Sequence, residues 1–257
     1  MSILFHDIIF GPIKSRRLGY SLGINLLPID SKICTFNCIY CECGWNPDKI
    51  LSTGFNKRED IYIALENRLI EIKENNEPID ILTFAGNGEP TLHPKFPDII
   101  DDVISLRNKY FPEKKIAVLS NATTLGNINI TEALKKIDLP ILKLDSAIEN
   151  TFRLINKPSD SFNFNEYINN LCNFKNNIIV QTMFLRGEIN GHIVDNTTEN
   201  ELNKWIEVVK KLNPINVMIY SIDREPPAKK LIKIQPEELK KIAEILKTNY
   251  IPVQMAF

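Results

Sequence analysis

The architecture of this chain can be inferred outward from one short segment, Cys34-Thr-Phe-Asn-Cys38-Ile-Tyr-Cys41. Its three thiols have C-x3-C-x2-C spacing, whereas a [4Fe–4S] cluster normally takes four cysteine ligands. The next cysteine, Cys43, follows two residues later, before Gly44-Trp45-Asn46-Pro47. A cluster held by only three thiolates keeps one iron open, and an open iron can bind and activate a small molecule. The segment therefore indicates chemistry that differs from simple electron transfer.

A structural zinc site is the alternative use of these thiols. Such sites usually combine two closely spaced Cys or His pairs. Cys38 and Cys41 form one pair, which Cys43 or a histidine could supplement. The remaining cysteine and the three histidines are scattered along the chain: Cys172, His6, His93 and His192. Without a second pair, the ligand spacing favours the cluster over zinc.

The composition is that of an ordinary globular protein. The 44% hydrophobic and 25% charged fractions allow a sizeable core, and 257 residues suit a single (β/α) barrel. A net charge of −1 gives no general attraction to nucleic acid or membranes. The acidic start excludes a secretory signal, and no apolar run approaches the ~20 residues that span a bilayer. Clustered cysteines suit a reducing compartment. We therefore expect a cytoplasmic protein that makes no contact with membranes.

Strand-like apolar runs alternate with helical patterns along the chain, which predicts a parallel sheet built from βα units. The predicted strands are Tyr20–Leu27, Ile79–Ala85, Lys115–Leu119, Pro140–Asp145, Ile178–Leu185, Ile215–Ile222 and a late run, Ile251–Met255. The predicted helices are Lys57–Asn75, Phe96–Tyr110, Thr131–Ile137, Asn165–Phe174, Glu199–Leu212 and Pro236–Lys247. About six units predict an incomplete barrel rather than an eightfold one. A doubly wound open sheet is the alternative. In either architecture the functional residues lie at the carboxyl ends of the strands.

Two of the ten glycines lie together after the second predicted strand, in Gly86-Asn87-Gly88-Glu89-Pro90. Glycine lets the backbone approach a ligand, and Pro90 removes an N–H donor. Exposed carbonyls and a carboxylate suit an ammonium group, whereas a phosphate would need N–H donors. Taken alone, the segment could equally be a plain turn. If a ligand lies here, a side chain at Gly88 should occupy its space and leave the cysteine loop unaffected.

Polar residues follow later strands as well. Ser120 and Asn121 end the third predicted strand and could bind a ribose or carboxylate, although both are also common turn residues. Lys143 and Asp145 share one face of the fourth, where burial of a charge requires a partner. Gln181, Met183 and Tyr220 are weaker candidates, and the last two are equally good core residues.

The cysteine spacing, Tyr40 and the Gly-Glu-Pro sequence together resemble the radical S-adenosylmethionine (SAM) superfamily. The resemblance implies an α/β fold, a partial (β/α)6 TIM-like barrel, with Cys34, Cys38 and Cys41 as ligands of a [4Fe–4S] cluster whose open iron chelates SAM. It also implies that Tyr40 lies near the adenine and that Gly86–Pro90 holds the methionyl ammonium. Ser120, Asn121 and Asp145 would contact SAM. Asn87 replaces one glycine of the family's Gly-Gly-Glu-Pro motif, and the following Gly-Glu-Pro is intact.

Further segments resemble one branch of that superfamily, which contains wyosine-base synthases acting on tRNA and uncharacterised iron–sulfur oxidoreductases. They are 10–24, 152–158 and 220–227, and the likeness therefore extends over most of the chain. Arg16 and Arg17, in the first segment, could touch a substrate phosphate or carboxylate, or could be a solvated basic pair. Archaeal and eukaryotic wyosine synthases bind a second cluster through upstream cysteines, but no cysteine precedes Cys34 here. We therefore expect the branch but not its tRNA substrate.

The resemblance implies a single domain over 1–257, with a core at about 18–227 and a C-terminal extension at 228–257. It further implies reductive cleavage of SAM to a 5′-deoxyadenosyl radical that abstracts hydrogen from an unknown substrate: a small molecule, a peptide or RNA. The electron would come from a donor such as flavodoxin or ferredoxin. The alternatives are a tRNA-base modifying enzyme of the wyosine type and a non-catalytic iron–sulfur or zinc protein that assembles with a partner.

Overall fold

Strands and helices alternate in a computed structural model that describes residues 3–47 and 54–256. The strands are β1 (Ile9–Ser15), β2 (Gly19–Ile24), β3 (Ile81–Phe84), β4 (Lys115–Ser120), β5 (Leu139–Lys143), β6 (Ile179–Met183), β7 (Leu185–Ile189), β8 (His192–Asp195), β9 (Asn216–Tyr220), β10 (Leu231–Lys233) and β11 (Val253–Ala256). The helices are α1 (Arg58–Glu74), α2 (Phe96–Tyr110), α3 (Ile128–Lys135), α4 (Glu149–Asn156), α5 (Phe164–Asn173), α6 (Glu199–Leu212) and α7 (Pro236–Thr248).

The main sheet has the strand order β1-β2-β3-β4-β5-β6-β9-β11. β1 pairs antiparallel with β2, and every other neighbouring pair in this sheet is parallel. Parallel strands that follow one another in chain order, with helical crossovers, are the pattern of a (β/α) barrel. The late strand predicted at Ile251–Met255 is present as β11 and adds a seventh parallel strand.

The main sheet curls, so that its two edges approach each other. The Gln254 side chain on β11 donates a hydrogen bond to the Arg17 carbonyl in the β1–β2 turn, at 3.0 Å. One buried residue from each of five consecutive parallel strands packs into a layer: Ile81, Ala117, Ile141, Ile179 and Met218. Side-chain layers of this kind fill the interior of (β/α) barrels. The prediction of an α/β fold with an incomplete barrel is confirmed.

The helices bury one apolar face each against the outside of the sheet. In α6 the buried residues recur at helical spacing, and the Trp205 indole donates to the Leu144 carbonyl at 3.0 Å. Thr198 caps the helix by accepting a hydrogen bond from the Glu201 amide at 3.3 Å. Among the helices described, none combines the length and the apolar character needed to cross a membrane.

Four strands and one helix were not predicted: β1, β7, β8, β10 and α4. The β7–β8 hairpin turns at Asn190-Gly191, where both residues have positive φ, 51° and 82°. Asn-Gly is the strongest short-range hairpin signal. In the sequence, however, Ile178–Leu185 reads as one continuous strand, which conceals the start of β7 at Leu185. The strands β10, β7 and β8 form a second, antiparallel sheet that is not hydrogen-bonded to the barrel sheet as a strand pair.

Candidate functional site

The cysteine loop is joined to the glycine-containing segment by a short parallel bridge between Ile33 and Gly88. The Ile33 amide donates to the Asn87 carbonyl at 3.0 Å, and the Glu89 amide donates to the Ile33 carbonyl at 2.9 Å. Ile33 immediately precedes Cys34. The two segments that the sequence singled out therefore form one unit, because the glycine segment positions the first thiol.

The C-terminal end of α4 holds the other side of the loop. The Asn37 amide donates to the Asn156 carbonyl, and the Ile39 amide donates to the Ile155 carbonyl, both at 2.9 Å. Asn156 is fully buried, and its Oδ1 accepts a hydrogen bond from the Cys38 thiol at 3.3 Å. The loop is thus clamped by backbone bonds from two elements that are distant in sequence.

Cys34, Cys38 and Cys41 line one cavity of about 160 Å³, so the structure brings the three predicted ligands together. Across residues 3–47 and 54–256, no three His, Cys, Asp or Glu side chains lie close enough to hold a single metal ion. A [4Fe–4S] cluster binds each thiolate on a different iron and needs a wider arrangement. Three thiols of one loop that line the same cavity are a donor set that fits a cluster with one open iron.

The protonation of these thiols depends on their surroundings. Burial raises the pKa of Cys34 to about 11 and raises that of Cys38 further. In contrast, a hydrogen bond from Cys43 and the nearby Lys32 charge lower the pKa of Cys41. Metal ligands must be thiolates, so binding a cluster releases protons from the buried pair. Lys32 is itself buried and donates to the Gly44 carbonyl at 2.7 Å, which fixes a positive charge beside the loop.

Gly88 takes part in the backbone bridge to Ile33. Its φ is +131°, and an added Cβ would lie 1.9 Å from the Ile33 carbonyl oxygen. The expectation that a side chain here would occupy ligand space and spare the cysteine loop is therefore wrong. At Gly86, with φ +151°, an added Cβ would lie 2.3 Å from Asn25 Oδ1. Both glycines still line the cavity that contains the cysteines.

Glu89 joins two strand ends through its buried carboxylate. Oε1 accepts from the Thr91 amide at 3.1 Å, the Thr91 hydroxyl at 2.6 Å and the Ser120 hydroxyl at 2.9 Å. Oε2 accepts from the Asn121 amide at 2.6 Å. Burial raises the pKa of Glu89 despite these four donors. The carboxylate therefore fixes the end of β4 against the glycine segment while remaining in the cavity wall.

The remaining predicted SAM contacts fall into two groups. Ser120 and Asn121 line the cysteine cavity, and the side-chain nitrogen of Asn121, Nδ2, lies 3.5 Å from the Cys34 sulfur. Asn87 and Pro90 do not line it; Asn87 is fully buried and bonds to the Phe5 backbone. Roles for these residues in SAM binding remain predictions.

Tyr40 and Asp145 belong to a buried polar cluster with Lys143. The Tyr40 hydroxyl donates to Asp145 Oδ2 at 2.5 Å, and the Lys143 ammonium contacts both partners, at 3.2 Å from Asp145. Asp145 also accepts from the Met183 amide at 2.9 Å and lies behind the cavity wall, whereas Tyr40 and Lys143 line it. Burial alone lowers the pKa of Lys143, but attraction to the Asp145 carboxylate opposes this effect, so the pKa is raised and the lysine stays charged.

A second cavity of about 290 Å³ adjoins the first and shares several wall residues with it, including Tyr40, Cys41 and Lys143. Its remaining wall comes from the β1–β2 turn and from the segment after β9. The weaker candidates of the sequence analysis, Gln181, Met183 and Tyr220, all line it, and so do Arg16 and Arg17. The Gln181 amide donates to the Tyr220 hydroxyl at 2.6 Å. The thiols and the basic rim therefore border one connected space.

Sequence reasoning missed two residues of the site, Lys32 and Asn156. Lys32 lies two residues before the first thiol, and nothing in the sequence distinguishes it from a surface lysine. Asn156 belongs to the segment 152–158, which the resemblance had drawn attention to, but its role depends on a contact across 118 residues with Cys38.

Curated relatives include UPF0026 proteins, of whose length this chain spans about 70%. One from Methanocaldococcus jannaschii is 34% identical, with 93% of this chain and 70% of that protein aligned. One from Helicobacter pylori strain J99 is 30% identical, covering 91% of this chain and 72% of the relative. A Brachyspira hyodysenteriae protein named GTPase Obg is 30% identical, but this chain spans only 34% of its length.

Solved structures of similar fold include a radical SAM methyltransferase and TYW1. A radical SAM methyltransferase from Sphaerobacter thermophilus has a TM-score of 0.67 at 12% identity, covering 91% of this chain and 65% of that chain. TYW1 with a lysine–pyruvate adduct has a TM-score of 0.60 at 18% identity, covering 89% and 73%. The family model for the Radical SAM superfamily matches residues 29–199, which include all three cysteines of the cavity. The chain therefore belongs to the radical SAM superfamily, alongside the UPF0026 proteins.

Proposed function

We propose that this protein is a radical SAM enzyme whose Cys34, Cys38 and Cys41 hold a [4Fe–4S] cluster. The observation that carries the proposal is the shared cavity: three thiols of one clamped loop face the carboxyl ends of β3 and β4. A purely structural metal site would need no such space. The non-catalytic alternative is therefore not favoured.

The chain's own residues account for binding and orientation. The Gly86 carbonyl already accepts a hydrogen bond from the Cys43 thiol at 3.5 Å, so it points an acceptor toward the cysteines, where an ammonium group would bind. Ser120 and Asn121 contribute polar groups from the next strand end. Lys32 balances negative charge near Cys34 and Cys41. Such fixed groups orient a ligand before reaction, which can supply several kcal/mol toward a barrier.

When bound and reduced, the cluster supplies one electron that cleaves SAM to methionine and a 5′-deoxyadenosyl radical, which takes a hydrogen atom from the substrate. The barrel wall limits access of water to that space. The second cavity, which borders Cys41, is the place where a substrate would meet the cleavage site. We further propose that the electron comes from a small carrier such as flavodoxin or ferredoxin.

Modification of tRNA of the wyosine type is not favoured by any specific observation. The likeness to TYW1 extends to the fold alone at 18% identity. The net charge of −1 offers no broad basic surface. The substrate therefore has to be inferred from the second cavity.

The decisive experiment is anaerobic reconstitution followed by chromatographic detection of 5′-deoxyadenosine under strong reductant. We expect about four irons and four sulfides per chain and slow SAM cleavage without substrate. Alanine at Cys34, Cys38 or Cys41 should abolish the cluster, whereas Cys172→Ala, a thiol outside the cavity, should retain it. Stoichiometric zinc without a cluster, S-adenosylhomocysteine as the sole product, or a normal cluster in the Cys34 or Cys38 variant would refute the proposal.

A further inference from the structure

Arg17 presents a buried nitrogen without a partner at the wall of the second cavity. Its Nη1 makes no hydrogen bond to any residue of the described chain, although the atom is shielded from solvent. A buried donor left unpaired is costly, and a guanidinium nitrogen is a charged donor. Such a group in a cavity wall indicates that a ligand acceptor belongs there.

Among the positively charged side chains that line this cavity, Arg17 is the one without a carboxylate partner among the described residues. Arg16 pairs with Asp223 at 3.5 Å, and Arg224 pairs with Glu42 at 2.7 Å. Lys143 pairs with the buried Asp145. Within residues 3–47 and 54–256, Arg17 has no carboxylate partner and stacks on the Tyr220 ring, with 4.6 Å from its guanidinium carbon to the ring centroid. The wall therefore carries one positive charge in excess at a defined place.

The position of Arg17 is fixed from three sides. Its amide donates to Ser15 Oγ at 3.2 Å, and its carbonyl accepts from the Gln254 side chain at 3.0 Å. The Tyr220 ring supports one face of the guanidinium, and a cation stacked on a ring face can still donate hydrogen bonds in its own plane. An arginine whose backbone and guanidinium plane are held in this way loses little conformational entropy on binding a ligand. Its forked guanidinium nitrogens match the spacing of carboxylate and phosphate oxygens.

We propose that Arg17 is the anion subsite of the second cavity and that the substrate is a small molecule carrying a carboxylate or phosphate group. This inference rests on the proposed function for the reaction itself. The cavity of about 290 Å³ accommodates a small organic acid or phosphate ester. Arg17 lines this cavity and not the one containing Cys34, and we assign its anion to the substrate rather than to the carboxylate of SAM.

The test is calorimetric titration of the reconstituted, SAM-loaded protein with inorganic phosphate and with succinate, at constant ionic strength. We expect at least one of the two to bind, and its identity distinguishes phosphate from carboxylate. Arg17→Gln should weaken that binding about tenfold or more, the loss typical of a charged hydrogen bond. Lys14→Gln, on the same hairpin and exposed, should bind like the wild type.

Three results would overturn the inference: neither anion binds, Arg17→Gln binds as tightly as the wild type, or the anion displaces SAM. The last would assign Arg17 to the SAM carboxylate. SAM cleavage by the wild-type protein is measured separately. Its absence would refute the proposed function, whereas anion binding that depends on Arg17 could persist without it.

Discussion

Replacement of Gly88 by alanine should damage the cysteine loop through the backbone alone. The new Cβ would lie 1.9 Å from the Ile33 oxygen, which must retreat by about 1.5 Å to reach the 3.4 Å of ordinary contact. That movement breaks the two bridge hydrogen bonds of Ile33, each worth about 0.5–1.5 kcal/mol. A residue other than glycine at φ +131° adds about 1–3 kcal/mol of strain. We expect a total loss of about 2–6 kcal/mol in the free energy of unfolding.

The assay is urea unfolding of the apoprotein, combined with iron and sulfide content after anaerobic reconstitution. Cluster content should fall in Gly88→Ala, because Cys34 follows the displaced Ile33. Gly126→Ala is the matched control: its Cβ would meet only the side chains of Asn170, at 3.3 Å, and Glu166, at 3.8 Å, and its φ is ordinary. Wild-type stability together with a full cluster in Gly88→Ala would show that the bridge does not position the loop.

Two further predictions concern buried polar groups. Lys143→Met leaves the buried Asp145 with only Tyr40 and the Met183 amide, and should lower the free energy of unfolding by about 2–4 kcal/mol in urea titrations. Lys135→Met, which breaks an exposed pair with Glu132, should change it by less than about 1 kcal/mol, and equal effects would contradict the difference in burial. Burial lowers the pKa of His93 below 6.5. The folded state therefore binds fewer protons than the unfolded state near that pH. The stability that His93 contributes above pH 6.5 should be lost as pH falls through the folded-state pKa. His93→Asn should remove this pH dependence in unfolding titrations between pH 5 and 8, and an unchanged profile would refute it.

The barrel was predictable because its parallel strands are continuous apolar runs. Runs such as Ile79–Ala85 and Ile178–Leu185 are buried on both faces, which makes them visible without any knowledge of their partners. The three thiols and the glycine segment were predictable because their spacing is local. The structure brings them together as expected, with Cys34 and Gly88 lining the same cavity.

The residues that were missed depend on contacts across long stretches of chain. Asn156 acts on a thiol 118 residues away, and no local pattern marks it. The expected effect of a side chain at Gly88 on the cysteine loop was wrong for the same reason. The atom that such a side chain would meet, the Ile33 carbonyl oxygen, lies 55 residues away in the sequence. Spacing along the sequence indicates which residue types belong to a site, but only the fold shows which of them support the others.

The clamp on the cysteine loop determines the order in which this protein is assembled. In zinc fingers the metal provides the folding free energy, so chain and metal come together in one step. Here the loop is held by main-chain bonds to the segment after β3 and to the end of α4, and these bonds do not involve sulfur. The polypeptide can therefore finish folding before any iron arrives. A chain that has lost its iron to oxygen therefore keeps the backbone of the loop in place for a new cluster.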